Sequence, residues 1–371
     1  MQKAVQSKQD SSQPAAKSLP SSTDLNNQGV EAARQGHFEQ AVVLLKQALS
    51  LESGDAQIRE NLSGILIDWA YQLDEKGQAD KASSCAEDSL TYDPENGKAL
   101  VFLGTLAYSR DDLSQAVDFW KRSLGMMSST EWTTLSNQIS QAERDLVIEK
   151  KFADLQTEHF MVRFEGAHGA EGVTALGALL EREYSRLFHM IHLGPTHVAV
   201  IVYANDNFKR IAEGKDWVLG LYNGRIRLRL EELGTERASW IVAHELAHAF
   251  LAHTYGRLIP IWVHEGFAQF CETPHPMTEH QKEILESVTS RRGWVPLKWL
   301  DRRFQQPSNG DDLARSYIQA RWVVDFLITT KGMTLFQQFL KKLSSSSAID
   351  QAFDQTFAPL SWAKIDQGIL E

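Results

Sequence analysis

The sequence contains no apolar run of about eighteen residues, so nothing in it reads as a membrane-spanning helix. It has no basic block or stripe either, and its net charge is −10, which argues against a nucleic-acid partner. Cysteine is scarce. Cys85 and Cys271, the two present, fall in segments read as different domains, so each is expected to be a small buried residue and not half of a disulfide. The first residues lack the positive start and apolar core of a secretory signal, which gives a cytoplasmic expectation by default. An exported or periplasmic location is the alternative if a signal has been cut away. Residues 1–23 are also short of large apolar side chains and are expected to be a disordered leader, because they cannot bury enough surface to offset chain entropy.

At 371 residues with 43% hydrophobic content, the chain has room for two or three globular domains. From Asp24 the pattern turns helical and repetitive. Gly29, Ala32, Ala41, Leu45 and Ala48 are echoed by Gly104, Ala107, Ala116, Trp120 and Leu124, with Ala70, Ala82, Ala86 and Leu90 between them. These are the small and large positions of a tetratricopeptide (TPR) unit, and residues 24–127 are read as three such repeats. The alanines Ala41, Ala82 and Ala116 stand 41 and then 34 residues apart, so the middle unit should have a longer first helix. Residues 128–152 read as an amphipathic capping and linking helix. The repeats could offer a groove to a protein or peptide partner, or they could pack on the domain that follows.

That domain, residues 153–371, is organised around His244-Glu245-Leu246-Ala247-His248. Two histidines four residues apart share one face of a helix and can reach one metal ion, while Glu245 borders it without having to bind. A catalytic zinc takes three protein ligands and keeps a position open. The third is expected to be Glu265, in Trp262-Val263-His264-Glu265-Gly266-Phe267-Ala268, on a second helix that starts near Pro260 and returns antiparallel to the first. His253 competes, but the three-histidine pattern needs Gly and His where Leu251 and Thr254 stand. The apolar flanks of the motif imply a buried helix, on which polar groups need partners. His275 and His280 lie near a helix start and are read as solvated.

Around these motifs, Phe160–Phe164 and Val198–Tyr203 have the look of strands, the latter central. Ile226 to Leu230 alternates strictly, as a strand with one buried and one polar face would. Asn223-Gly224 suits a hairpin turn before it. Residues 311–330, 335–343, 348–357 and 360–370 have helical spacing.

The H-E-x-x-H and W-x-x-E-G-x-A segments resemble those of the gluzincin metallopeptidases, within them the small peptidase-MA-like domains often appended to helical repeats. The resemblance runs from about Phe152 to the C-terminus. It implies a multidomain chain: an all-α TPR-like solenoid followed by an α+β thermolysin-like domain with one Zn2+ per chain. The implied reaction is peptide-bond hydrolysis with Glu245 as general base. It further implies that the strand before the motif helix is the sheet edge over the cleft, where Tyr222, Asn223, Gly224 and Arg225 would contact a peptide or protein substrate. Tyr317, within Ser316 to Trp322, matches the helix that points a tyrosine at the substrate. The spacer between His248 and Glu265 is shorter than in one-zinc aminopeptidases, and Gly220 to Gly224 has no Glu to hold a free amine, so an endopeptidase is expected. The alternative from another class is a repeat scaffold whose zinc-bound peptidase-like domain turns over poorly.

Overall fold

The computed structural model describes residues 19–368 apart from 77, 127–128, 167–169, 213–218, 257–258, 273–277, 291, 308 and 345–347. The expected leader and His275 thus lie largely or wholly outside the described residues. Seven helices come first: α1 (Ser22–Arg34), α2 (Phe38–Leu51), α3 (Ala56–Glu75), α4 (Ala79–Tyr92), α5 (Gly97–Ser109), α6 (Leu113–Ser123) and α7 (Ser129–Glu149). Side-chain caps fix several starts. Ser21 and Asp24 form a reciprocal capping box on α1, and Asp55, Asn96 and Asp112 accept from backbone amides of α3, α5 and α6. The first six pack as hairpins α1/α2, α3/α4 and α5/α6, each against the next, and α7 covers α6. Gly29 admits Leu45, and Gly104 admits the Trp120 ring, at places where a Cβ would collide. The longer first helix of the middle unit is α3, with 20 residues against 13 in α1 and α5.

A five-stranded mixed sheet follows: β1 (Ala153–Gln156), β2 (Phe160–Phe164), β3 (Val198–Tyr203), β4 (Gly220–Tyr222) and β5 (Ile226–Arg229), in the order β1-β2-β3-β5-β4. The outer pairs β1/β2 and β4/β5 are antiparallel and the inner ones parallel. All six residues of β3 are buried, as a central strand requires. One face of the sheet carries Phe160, Val162, Val198, Val200, Val202, Ile226 and Leu228 into the main core with α8 (Ala170–Ile191) and α10 (Arg237–Tyr255). The other face turns Ile201 and Tyr203 toward Ile148 and Phe152, beside α9 (Asn205–Ile211).

Two expectations for β5 need correction. Among the described residues it lies inside the sheet, paired on both sides, and the strand at this edge is β4. Its polar face is not solvated: Arg225, just before the strand, and Arg227 are 0% and 1% exposed, because carboxylates of the helical region cover them. Alternation of charge and apolarity reports two different faces but not which neighbour covers each.

α10 ends on Gly256, whose positive φ closes the helix, and α11 (Ile261–Cys271) starts after Pro260. Below them lie α12 (Glu279–Thr289), α13 (Leu297–Gln305), α14 (Gly310–Lys331), α15 (Met333–Leu343), α16 (Ile349–Phe357) and α17 (Trp362–Ile365). Sequence spacing anticipates α14 to α16 but does not delimit α9, α12 and α13. It also overextends the last helix, which is helical only over Trp362–Ile365. α11 crosses α14 at Gly266, where a Cβ would stand 2.5 Å from the Ala320 carbonyl oxygen, so the Gly beside Glu265 sets this close approach. Among the described residues no helix is long and apolar enough to cross a membrane.

Candidate metal centre

The antiparallel return of α11 along α10 brings three side chains together. Nε2 of His244 and Nε2 of His248 are 3.2 Å apart, and Oε2 of Glu265 lies 3.5 and 3.6 Å from them. Tetrahedral zinc with bonds of 2.0–2.1 Å would set its ligand atoms about 3.3 Å from one another, so the triangle has the dimensions such an ion needs. Glu265 Oε2 is buried with no hydrogen-bond partner, which is costly unless something else neutralises it. The donor set, two imidazoles and one carboxylate, suits zinc. No ion is present in the structure, but the residues fit one. Part of that fit is electrostatic. Burial alone would depress His244, yet Glu265, Glu272 and Glu245 hold it well above its ordinary value, so the pocket favours positive charge. Burial likewise pushes Glu265 up, and the nearby imidazoles of His244 and His248 more than reverse this, leaving its carboxyl well below the usual range.

Two residues beyond the motif complete the surroundings. Glu272 Oε1 stands 2.6 Å from His244 Nδ1. The carboxylate accepts the Nδ1 proton and leaves the Nε2 lone pair facing the triangle, which is how outer carboxylates orient a ligating histidine. His264 Nδ1 is 3.5 Å from His248 Nδ1, at the outer limit of a hydrogen bond. Burial pushes His264 down to about 4, so it is neutral and able to accept. Sequence reasoning passed over both. Glu272 was nevertheless findable: it follows Glu265 by seven residues, two helical turns, and so shares its face of the helix.

Glu245 is buried beside the triangle, and its carboxyl is raised by burial, with partial relief from His244 and His248. It abuts Gly220 of the edge strand, where a Cβ would come within 2.7 Å of Glu245 Oε1 and 2.8 Å of Ile241 Cγ2. Tyr317 sits on α14 with its ring edge-on to Phe304, centroids 5.0 Å apart. Burial raises its phenol first, and the negative charges of Glu265, Glu245 and Glu272 raise it further, which places it within electrostatic reach of the site and keeps it a proton donor at neutral pH.

Other candidates fall elsewhere. His253 is no part of the triangle: burial lowers its pKa, and the negative charge of Asp74 on α3 partly offsets this. His280 is exposed beside Glu283 and Asp311. Glu158, His159 and Glu181 also cluster, but Glu181 is already bonded to Thr157, to the His159 amide and to His159 Nδ1, and His159 stacks on Tyr184. Of the residues expected to touch substrate, Tyr222 lies on the core side of β4, on the same face as Gly220. Asn223 and Gly224 face Tyr108 and Ser109 of α5, and Arg225 is enclosed by Asp111, Asp145 and Glu149. The turn is therefore held by the helical region, and a fully buried Arg225 has no surface to offer a substrate.

A search among curated proteins finds no match for the chain. Residues 215–359, which carry β4, β5, the triangle of His244, His248 and Glu265, and Tyr317, match the family described as Peptidase MA superfamily, so this part of the chain is similar to domains of that type.

Proposed function

We propose that the chain is a zinc-dependent peptidase of the gluzincin type, with an endopeptidase mode. The observation that carries this reading is the triangle of His244, His248 and Glu265, with its unpartnered buried carboxylate oxygen and Glu245 at its side. Zinc, when bound, supplies the Lewis acidity that makes water a nucleophile near neutral pH and polarises a carbonyl.

The protein's own groups divide the remaining work. Glu245 accepts the proton of the attacking water and returns it to the leaving amine; its burial against Gly220 and Ile241 brings its carboxyl toward the range where both transfers are feasible. Tyr317 keeps its proton and donates a hydrogen bond to the developing oxyanion. Glu272 holds His244 in the tautomer with Nε2 free. β4, the edge strand, offers backbone groups along which an extended peptide can pair. Nothing acidic stands in Gly220 to Gly224 to receive a free amine, which supports internal cleavage.

Residues 24–127 are taken as three tetratricopeptide-like repeats and 128–152 as the helix joining them to the catalytic part. Contacts from α3, α5 and α7 to the catalytic part support a packing role for these helices over a free groove.

The test compares wild type with Glu245→Gln for metal content and for cleavage of a peptide library. We expect one equivalent of zinc in both proteins and turnover about 100- to 10,000-fold lower in the variant. Equal cleavage by the two would assign the activity to something other than this site. Absence of cleavage by either would favour the scaffold.

A further inference from the structure

The β4–β5 hairpin has the metal-bearing helix on one face and the helical region on the other. Register decides this. Gly220 pairs with Leu228 and Tyr222 with Ile226, so these four share the face that meets α10, while Leu221 pairs with Arg227 on the opposite face. On the first face Gly220 touches Glu245. On the second, a row of arginines meets carboxylates carried by helices outside the sheet. Arg225 and Arg227, two residues apart, project from one side of the strand; Asp145 and Glu149, four apart, project from one side of α7. Asp145 Oδ2 lies 2.6 Å from Arg227 Nη2, and Asp111, in the α5–α6 turn, lies 2.6 Å from Arg225 Nη2 and 2.9 Å from Arg163 Nε.

The bridge continues to the tip of the hairpin. The Tyr108 hydroxyl at the end of α5 accepts from Arg227 and from Asn223, whose amide also binds Arg227. At Gly224, whose φ is +101, an added Cβ would stand 3.7 Å from Tyr108 Cδ1 and from Ser109 Cβ, so the turn passes close to the end of α5. Three arginines therefore face three carboxylates: Arg225, Arg227 and Asp145 are fully buried, and Arg163, with a side chain 31% exposed, stands at the margin of the cluster. A buried ion cluster of this kind contributes little net stability compared with apolar packing, but it tolerates only one geometry, which makes it a device for register.

We propose that the helical region is a positioning element of the site: Tyr108, Asp145 and Glu149 fix Arg225 and Arg227, and through them hold edge strand β4 in place against Glu245. The catalytic consequence rests on the peptidase reading given above; the mechanical link does not. β4 is three residues long and, among the described residues, pairs on one side only, so it has few bonds of its own to stay ordered. Tyr108 and Arg227 do not touch the metal triangle and act only through the strand.

The experiment uses the full zinc-loaded chain as Tyr108→Phe and Arg227→Met. It measures amide hydrogen exchange over residues 219–222 and 241–250, zinc content, and kcat and KM on a peptide that wild type cleaves. We expect exchange over 219–222 to rise at least about tenfold while α10 keeps its protection and zinc is retained. kcat/KM should fall about fivefold or more, mainly through KM, because the edge that would pair with substrate has loosened. Tyr108→Phe removes one hydroxyl and keeps the ring, so it carries the test if Arg227→Met does not fold. Unchanged exchange over 219–222 in a folded variant would overturn the proposal. So would a lower melting temperature with kcat, KM and local exchange all unaltered, the mark of a purely structural cluster. If wild type cleaves nothing, the peptidase reading fails by itself, and the exchange result alone decides whether the helices order the strand.

Discussion

Glu272 Oε1 lies 2.6 Å from Nδ1 of His244, two helical turns beyond Glu265 on the same side of α11, so one helix supplies both a candidate metal ligand and the group that orients another. The pairing joins the two helices that build the site. It has a measurable consequence for metal affinity.

Glu272→Gln keeps the size of the side chain but can present its amide nitrogen to His244, and it removes one negative charge from the pocket. Zinc affinity should fall about 10- to 100-fold, as the loss of outer carboxylates at metal sites generally costs. Competition titration with a chelator measures it, and affinity equal to wild type would remove Glu272 from the centre. Wild type itself should lose thermal stability on chelation, since an ion bound only by the folded state contributes to its stability.

Gly220→Ala places a methyl group into the space used by Glu245 and Ile241. Either the edge strand or the Glu245 side chain must shift, at a cost of about 1–3 kcal/mol for an overpacked contact. Turnover should fall while zinc content stays at one equivalent, because the triangle lies beyond the displaced carboxylate. Metal analysis and steady-state kinetics on one preparation separate the two effects.

Tyr317→Phe removes the hydroxyl and keeps the ring against Phe304. If the hydroxyl stabilises charge present only in the transition state, kcat and kcat/KM should fall together by roughly ten- to a thousandfold, with zinc unchanged. A melting temperature lowered with full activity per folded molecule would instead make Tyr317 a core residue worth about 1 kcal/mol through its hydroxyl.

Cys271 is buried, and burial pushes its thiol up to about 12. The folded protein should therefore resist alkylation at Cys271 near pH 8 and yield to it on unfolding, as mass spectrometry of labelled peptides can show. The sign of the linkage follows. The unfolded chain gives up this proton at the ordinary thiol value and the folded chain only near 12, so alkaline pH within that window favours unfolding. Labelling of Cys271 in the native state at the same rate as in urea would contradict its burial.

Much of the site is local and periodic, and for that reason legible in the chain. The i,i+4 spacing of His244 and His248 puts two imidazoles on one helix face whatever surrounds the helix, and Glu245 follows from the same geometry. Gly256 and Pro260 mark where one helix stops and the next begins, so the return of Glu265 toward the histidines could be anticipated. Two glycines of the helical region likewise carry their own pairing, since Gly29 and Gly104 face Leu45 and Trp120 at the same distance along the chain.

What depends on distant partners was not readable. Arg225 and Arg227 look like the solvated face of a strand, and only the arrival of Asp111, Asp145 and Glu149 from more than 70 residues away converts that face into a buried cluster. Asn223 likewise bonds to Tyr108 of the helical region, and the pairing of β5 with both β3 and β4 leaves β4 at that edge of the sheet. A strand's period of two sorts its side chains into two sets, but the neighbour that covers each set comes from another part of the chain. For this protein the periodicity of the sequence determined the geometry of the His244, His248 and Glu265 triangle, and the tertiary structure decided what holds the strand beside it, because a buried charge is stable only where its counter-charge happens to pack.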